Sequence, residues 1–339
     1  MALNRVEESG TSLPKVKIEK LVLAQPRGFC AGVVRAIDVV EQALGVCGGK
    51  IYVRHEIIHN RYVVESLKKK GAIFVEELSE VPAGSWVIFS AHGVGPQVVQ
   101  EAAQKNLKVI DATCPLVTKV HLEAIAYAKR GFTILLIGHA DHVETIGTMS
   151  EAPEAMKLVS TAQEAETVAV PDPEKAVYLS QTTLSLDDTR DIIEVLRRRF
   201  PKLHSPKKGD ICYATQNRQN AVKAMAPQVD LVLVLGAPNS SNSLRLCEVA
   251  KSQGLPSYLI ERADDIRDEW LAGVRILGLS AGASAPEVLV QDVVRRCRER
   301  YGVSTVETFQ TIEEDMAFSL PYKLTQLIKD KEGPSARAR

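Results

Sequence analysis

Six cysteines punctuate the 339-residue chain, and their surroundings divide them into two sets of three. Cys30 lies in "PRGFCAG" (26–32), just after the apolar run 21–24, while Cys114 ends "LKVIDATC" and Cys212 ends "KKGDIC". Each stands where a strand-like run gives way to a helical pattern. A thiol at a helix N-terminus meets the positive end of the helix dipole and unpaired N–H groups, which favours thiolate, the form that binds metal. Pro115 suits the first helical position, so the pattern predicts Cys114 as an N-cap. Three converging thiolates can hold an iron–sulfur cluster with one open corner, or a zinc with a free fourth position. No C-x-x-C run marks a site, so unrelated, scattered thiols stay open as the alternative. The other three read as small core hydrophobes. Cys47 closes the helical stripe Val33, Ile37, Val40, Leu44; Cys297 closes Val290, Val293, Val294; and Cys247 lies inside the helical stretch after "NSSNS".

Such thiols need repeated strand-to-helix turns to position them, and the chain supplies these throughout. Short apolar runs at 21–24, 51–53, 86–89, 107–110, 133–137, 177–179, 231–235 and 276–279 alternate with amphipathic helix patterns, which predicts βαβ units and parallel sheets. The runs lead into "SAHGVG", "GHADH", "SQTTLS", "GAPNSSNS" and "SAGASAP". Loops at the carboxyl ends of parallel strands are where ligands gather in open α/β sheets. The three strand-end cysteines are 84 and 98 positions apart, which suggests three copies of one unit. The division read from this is an extension at 1–19, α/β domains at 20–114, 115–210 and 211–300, and a C-terminal segment at 301–339 whose end, "DKEGPSARAR", has a disordered composition.

Composition narrows the function classes. The chain is 45% hydrophobic and 25% charged, with 42 basic and 42 acidic side chains, so no net positive field points to nucleic acid or an anionic membrane. No apolar run approaches the length of a membrane helix, and the first twenty residues carry Glu7, Glu8 and Glu19 without an apolar core, so the expectation is a cytoplasmic protein without a disulfide framework.

Eight segments in order, "PRGFCAGVVRAI", "VRHEIIHNRYVVESL", "SAHGVGPQV", "DATCPLVTKVH", "SQTTLS", "DICYATQNRQNAV", "NSSNSLRL" and "SAGASAPEVLVQDV", resemble the 4-hydroxy-3-methylbut-2-enyl diphosphate reductase (LytB) family over about residues 20–315. The resemblance implies three similar small α/β domains in a trefoil around a central 4Fe–4S cluster, and reductive removal of an allylic hydroxyl at the last step of the non-mevalonate isoprenoid pathway. It implies Cys30, Cys114 and Cys212 as cluster ligands with one open iron, and His59, His92, His142, Ser240, Ser241, Asn242 and Ser284 as the diphosphate and substrate pocket. Glu144 matches the family's proton-delivering acid and Thr182 its hydrogen-bonding threonine, with His142 beside them; a first-turn glutamate favouring a helix N-terminus is the plainer reading of Glu144. His55, His121, His139 and His204 read as structural. The family pattern Gly-His-x-x-His-Pro-Glu is here "GHADHVE", so Val143 replaces proline and leaves the aim of the Glu144 loop open; Ala237 stands where serine is common.

No flavin or nicotinamide fingerprint follows a strand, so electrons are expected from a partner, which family membership implies is ferredoxin or flavodoxin. The basic stretch "RRRFPKLHSPKKG" (197–209) reads either as a docking surface or as a solvated helix C-terminus. The rivals are a three-cysteine lyase of the quinolinate synthase kind, an iron–sulfur sensor or carrier without turnover, and a zinc hydrolase, the last of which would be colourless.

Overall fold

The structure, a computed structural model, describes residues 17–332. Its first part forms β1 (Lys20–Gln25), α1 (Ala31–Val46), β2 (Ile51–Arg54), α2 (Arg61–Lys69), β3 (Ala72–Val75), β4 (Trp86–Phe89), α3 (Pro96–Gln104), β5 (Lys108–Asp111) and α4 (Pro115–Lys129). The middle adds β6 (Thr133–Ile137), α5 (Val143–Met149), β7 (Met156–Val159), α6 (Ala162–Thr167), β8 (Ala176–Ser180) and α7 (Leu186–Arg199). The last part adds α8 (Tyr213–Met225), β9 (Leu231–Leu235), α9 (Ser241–Ser252), β10 (Ser257–Ile260), β11 (Ile276–Ala281), α10 (Glu287–Tyr301), β12 (Thr305–Gln310) and α11 (Tyr322–Glu332).

The strands make three sheets, ordered β10-β9-β11-β1-β12, β3-β2-β4-β5 and β7-β6-β8, and every strand pair in them is parallel. Parallel strands are covered on both faces, which is why their sequences run apolar without alternation. In β9, Leu231, Leu233 and Leu235 pack with α10 on one face, while Val232 and Val234 pack with α8 and α9 on the other. Cys297 and Cys247 are buried in these two layers, and Cys47 is buried with α1 against the second sheet. The buried face of α1 runs through Val33, Ala36, Val40 and Ala43, with Ile37 and Leu44 at its edge. The small alanines let the helix lie close on the strands.

Consecutive segments do not map onto the three units. β1 pairs with β11 and β12, near the far end of the chain, yet α1, which follows it, packs on the second sheet. The passage between them is at Cys30. The chain crosses again at Cys114, since α4 packs against β6 and β8 of the third sheet, and at Cys212, since α8 packs on the first. The segment 20–114 thus contributes its first strand to the sheet of the 211–300 region. Residues 17–19 belong with that sheet rather than with a loose extension: Ile18 is fully buried and its N–H donates to the Tyr301 carbonyl at 3.0 Å. Residues 1–16 and 333–339 lie outside the described residues, but Asp330 to Glu332, the start of the tail, complete α11.

After β12 the chain straps across the first two crossings. Arg218, buried in α8, donates to the carbonyls of Gly28 and Phe29 beside Cys30 and pairs with Glu314 at 3.1 Å. Arg35 of α1 donates to the carbonyl of Ser319 and to those of Ala112 and Thr113 beside Cys114. Leu324 of α11 then fills the core of the second unit.

Candidate functional site

Cys30, Cys114 and Cys212 are the N-caps of α1, α4 and α8, with Pro115 at the first position of α4. All three line one cavity between the units, together with His59, His92, His142, Glu144, Thr182, Ser240, Ser241, Asn242 and Ser284. Every site residue singled out in the sequence lines it. The crossings bring the thiols inward, and close backbone approach keeps them there: a Cβ on Gly32 would lie 2.7 Å from Cys114 Sγ and 3.8 Å from Cys30 Sγ.

Cys114 and Cys212 are not acidified as their helix positions alone suggest. Burial pushes Cys114 up to about 12 and Cys212 up to about 11, outweighing the N–H groups of Leu116 and Val117 and the Thr215 N–H and hydroxyl, while the neighbouring thiols oppose a shared negative charge. Buried thiols of this kind become thiolates when a cation compensates them, as a coordinating metal does. Among the described residues no three His, Cys, Asp or Glu side chains surround one point closely enough to hold a single ion. Three thiols lining one cavity are a donor set that suits an iron–sulfur cluster.

The imidazoles form a compact group. His59 and His92 stack with centroids 4.0 Å apart, and His142 stands edge-on to them at 5.4 and 6.2 Å. Burial, then the proximity of His59, holds His142 down to about 4 and His92 well below the ordinary imidazole range. His142 Nδ1 accepts from the Glu144 N–H at 3.2 Å, and His59 Nδ1 lies 3.2 Å from Glu56 Oε2, which also accepts from Asn239 Nδ2 at 3.0 Å. His59 Nε2 and both polar atoms of the Asn242 side chain are buried without a partner among the described residues. Orphaned buried groups of this kind are costly unless a ligand meets them. Ser240 caps α9, placing the free N–H groups at its start beside them. Ser241 and Ser284 are already engaged, donating to the carbonyls of Thr183 and His59.

Glu144 sits in the first turn of α5, but its carboxylate turns inward: Oε1 accepts from the Thr182 N–H at 2.6 Å and Oε2 from the Thr182 hydroxyl at 3.0 Å. Burial raises it to about 7, against the pull of those two donors. Val143 takes the first helical position, the one proline favours, so its presence leaves the α5 start and the aim of Glu144 intact. Ala237 is buried beside the pocket loop and is not among the cavity lining.

The four remaining histidines lie elsewhere. His121 is buried against Glu151 at 2.8 Å, His204 packs edge-on to Phe132, His55 faces Glu76 at 3.8 Å, and His139 borders a separate hollow with Arg245. Sequence reasoning missed Glu56 and Asn239, which orient His59, and Asp210, whose side chain is fully buried between Lys119 at 2.6 Å and the Ser180 N–H at 2.9 Å. The signal was available in that acid: "KKGDIC" puts an aspartate two residues before a ligand candidate. It also missed Arg218, a charge inside the buried face of α8.

The cavity encloses about 100 Å³, bordered by the imidazoles and thiols.

The chain matches a family model described as LytB protein over residues 21–298. It is 55% identical over 302 residues to 4-hydroxy-3-methylbut-2-enyl diphosphate reductase 2 of Burkholderia mallei, covering 89% of this chain and 92% of that one. With the reductase of Acidothermus cellulolyticus it shares 53% identity over 329 residues, 97% of this chain and 96% of the relative. The solved E-1-hydroxy-2-methyl-but-2-enyl-4-diphosphate reductase from Plasmodium falciparum superposes with a TM-score of 0.89 at 38% identity, covering 94% of this chain and all of that one. A second solved structure, described as the terminal enzyme of the non-mevalonate pathway, gives 0.58 at 32% identity over 83% of this chain and all of the other. Motif order, sheet architecture and these likenesses agree: the chain belongs to the LytB protein family.

Proposed function

We propose that this protein is a 4-hydroxy-3-methylbut-2-enyl diphosphate reductase that carries a 4Fe–4S cluster on Cys30, Cys114 and Cys212. Two electrons and two protons replace the allylic C–OH of the substrate by C–H, releasing water and giving isopentenyl and dimethylallyl diphosphate. The observation that carries the reading is the meeting of three helix-capping thiols, three imidazoles and a buried carboxyl in one cavity. When bound, the cluster supplies the electrons and an open iron that acts as a Lewis acid toward the hydroxyl.

The protein's own groups do the rest. His59 Nε2, the Asn242 amide and the start of α9 offer donors to the diphosphate, and an anion there draws protons onto His92 and His142, which burial keeps neutral without it. Glu144, shielded from water and near neutrality, keeps a proton available for the departing hydroxyl while Thr182 fixes both its oxygens. Electrons arrive from an external carrier, ferredoxin or flavodoxin.

The test is the oxidation of reduced methyl viologen by anaerobically purified protein, with and without substrate. We expect a brown protein whose substrate-dependent rate disappears in Cys114→Ser. A brown, iron-loaded wild type with no substrate-dependent rate would turn the reading toward the lyase or the sensor.

A further inference from the structure

The proposed reduction consumes two electrons per substrate molecule, so a reduced carrier has to come within reach of the cysteine cavity. A larger hollow lies outside it, beside α4. It encloses about 730 Å³ and is lined by Thr113 and Pro115, the residues on either side of Cys114, together with Lys119, Leu122, Arg130 and Lys207. One wall of this groove is therefore the backbone that carries a candidate cluster ligand. Its chemistry differs from the surrounding surface in two ways. Leu122, in the middle of α4, is 61% exposed, a large aliphatic side chain facing solvent where a surface helix ordinarily carries a polar one. Two of the groove's cations, Arg130 and Lys207, are also uncommitted, whereas Lys119 is held by Asp210 and Glu123.

That second point separates the groove from most of the basic stretch 197–209, Arg197 being the exception. On α7 and just after it, Arg198 pairs with Glu166, Lys202 with Glu174, and Arg199 donates to the Ala165 carbonyl. Those side chains close the third unit upon itself. Arg130, Lys207 and Lys208 are exposed and form no ion pair among the described residues; the Arg130 guanidinium lies 5.3 and 4.9 Å from the Tyr127 and Phe132 ring centroids. The acids in the groove are Asp111, which accepts from Thr113, and Glu123, which pairs with Lys119. An apolar centre with a basic rim matches a partner with an exposed redox edge inside an acidic rim.

We infer that this groove beside Cys114 is the docking site of an acidic one-electron carrier protein, with its rim on Arg130 and Lys207, Lys208 following next in the chain, and the carrier's redox edge against Leu122 and Pro115. The inference rests on the reductase reading. Each encounter oxidises one carrier molecule by one electron; two encounters and two protons complete the conversion of C–OH to C–H and water. Long-range attraction of this kind sets the rate of encounter and weakens as salt rises.

The experiment compares the loaded wild type with the double variant Arg130→Glu/Lys207→Glu, and separately with Leu122→Asp, using two donors. Reduced flavodoxin must dock, whereas reduced methyl viologen, a small cation, need not. We expect the flavodoxin-driven kcat/KM at low salt to fall about tenfold or more in both variants, with the viologen-driven rate unchanged. Titration of oxidised flavodoxin into each protein reads binding without turnover, and the dissociation constant should rise by a similar factor and lose its salt dependence in the double variant. Equal flavodoxin affinity and rate in variants and wild type would overturn the docking site, as would a parallel loss with both donors, which would mean that the groove residues support the fold or the metal site. A wild type without viologen-driven turnover would instead sink the reductase reading itself.

Discussion

Glu144 is a carboxyl placed where a charge is expensive. Burial raises it to about 7, while the N–H and hydroxyl of Thr182 pull the other way because they favour the ionised form. In the unfolded chain the same group titrates near 4.5. The folded state thus holds this proton more tightly, so the associated stability is fully present below about pH 4.5 and is lost as pH rises through 7. Thermal melts of the metal-free protein should show this decline, and Glu144→Gln should flatten it. The same variant should lose about a hundredfold to ten-thousandfold in turnover, the usual contribution of a positioned proton donor. Wild-type kcat/KM should fall above about pH 7 as the donor ionises. A variant whose activity and pH profile match the wild type would remove Glu144 from the chemistry. The thiols teach the same lesson in reverse. Helix N-termini favour thiolate locally, yet burial decides the outcome for Cys114 and Cys212.

At the scale of elements, α5 tests how a local substitution is absorbed. Val143 occupies the first helical position, where the backbone N–H has no partner within the helix and where proline's fixed φ suits the start. Val143→Pro should therefore stabilise by about 0.4–1 kcal/mol through the unfolded chain, a rise of about 1–2 °C in Tm, with activity retained. A drop in Tm would mean that the Val143 N–H has a role the helix geometry does not show. The elements themselves were unevenly legible. The eight apolar runs became β1, β2, β4, β5, β6, β8, β9 and β11, whereas β3, β7, β10 and β12 went unread. All four are edge strands, although two other edge strands, β5 and β8, were read from their apolar runs. An edge strand has one neighbour and partial cover, so its pattern mixes burial with exposure and loses the continuous apolar signal.

The whole molecule is held by contacts that join distant segments around the cavity. Arg218 is the clearest, fully buried, bonded to two carbonyls of the Cys30 loop and paired with Glu314 of the strap. Removing one partner of a buried pair strands the other, so Arg218→Ala should cost about 3–5 kcal/mol, read as a lower denaturant midpoint. It should also speed iron loss from the loaded protein, because the Cys30 loop loses its anchor. An unchanged midpoint would show that the strap carries no load.

The sequence by itself separated the helix-capping cysteines from the helix-face ones, laid out repeated strand–loop–helix units and picked out residues that line one cavity, because apolar periodicity, helix-start chemistry and motif order are local properties of the chain; it placed Cys212 at the end of a strand that the structure does not have. It could not pair β1 with β11 and β12 across the length of the chain, recruit Glu56, Asn239, Asp210 and Arg218 as supports, or set the protonation of Glu144 and the thiols. Those features depend on which distant groups are brought together and how much water they exclude. Only the tertiary structure decides that, since desolvation belongs to the assembled cavity and to no single segment.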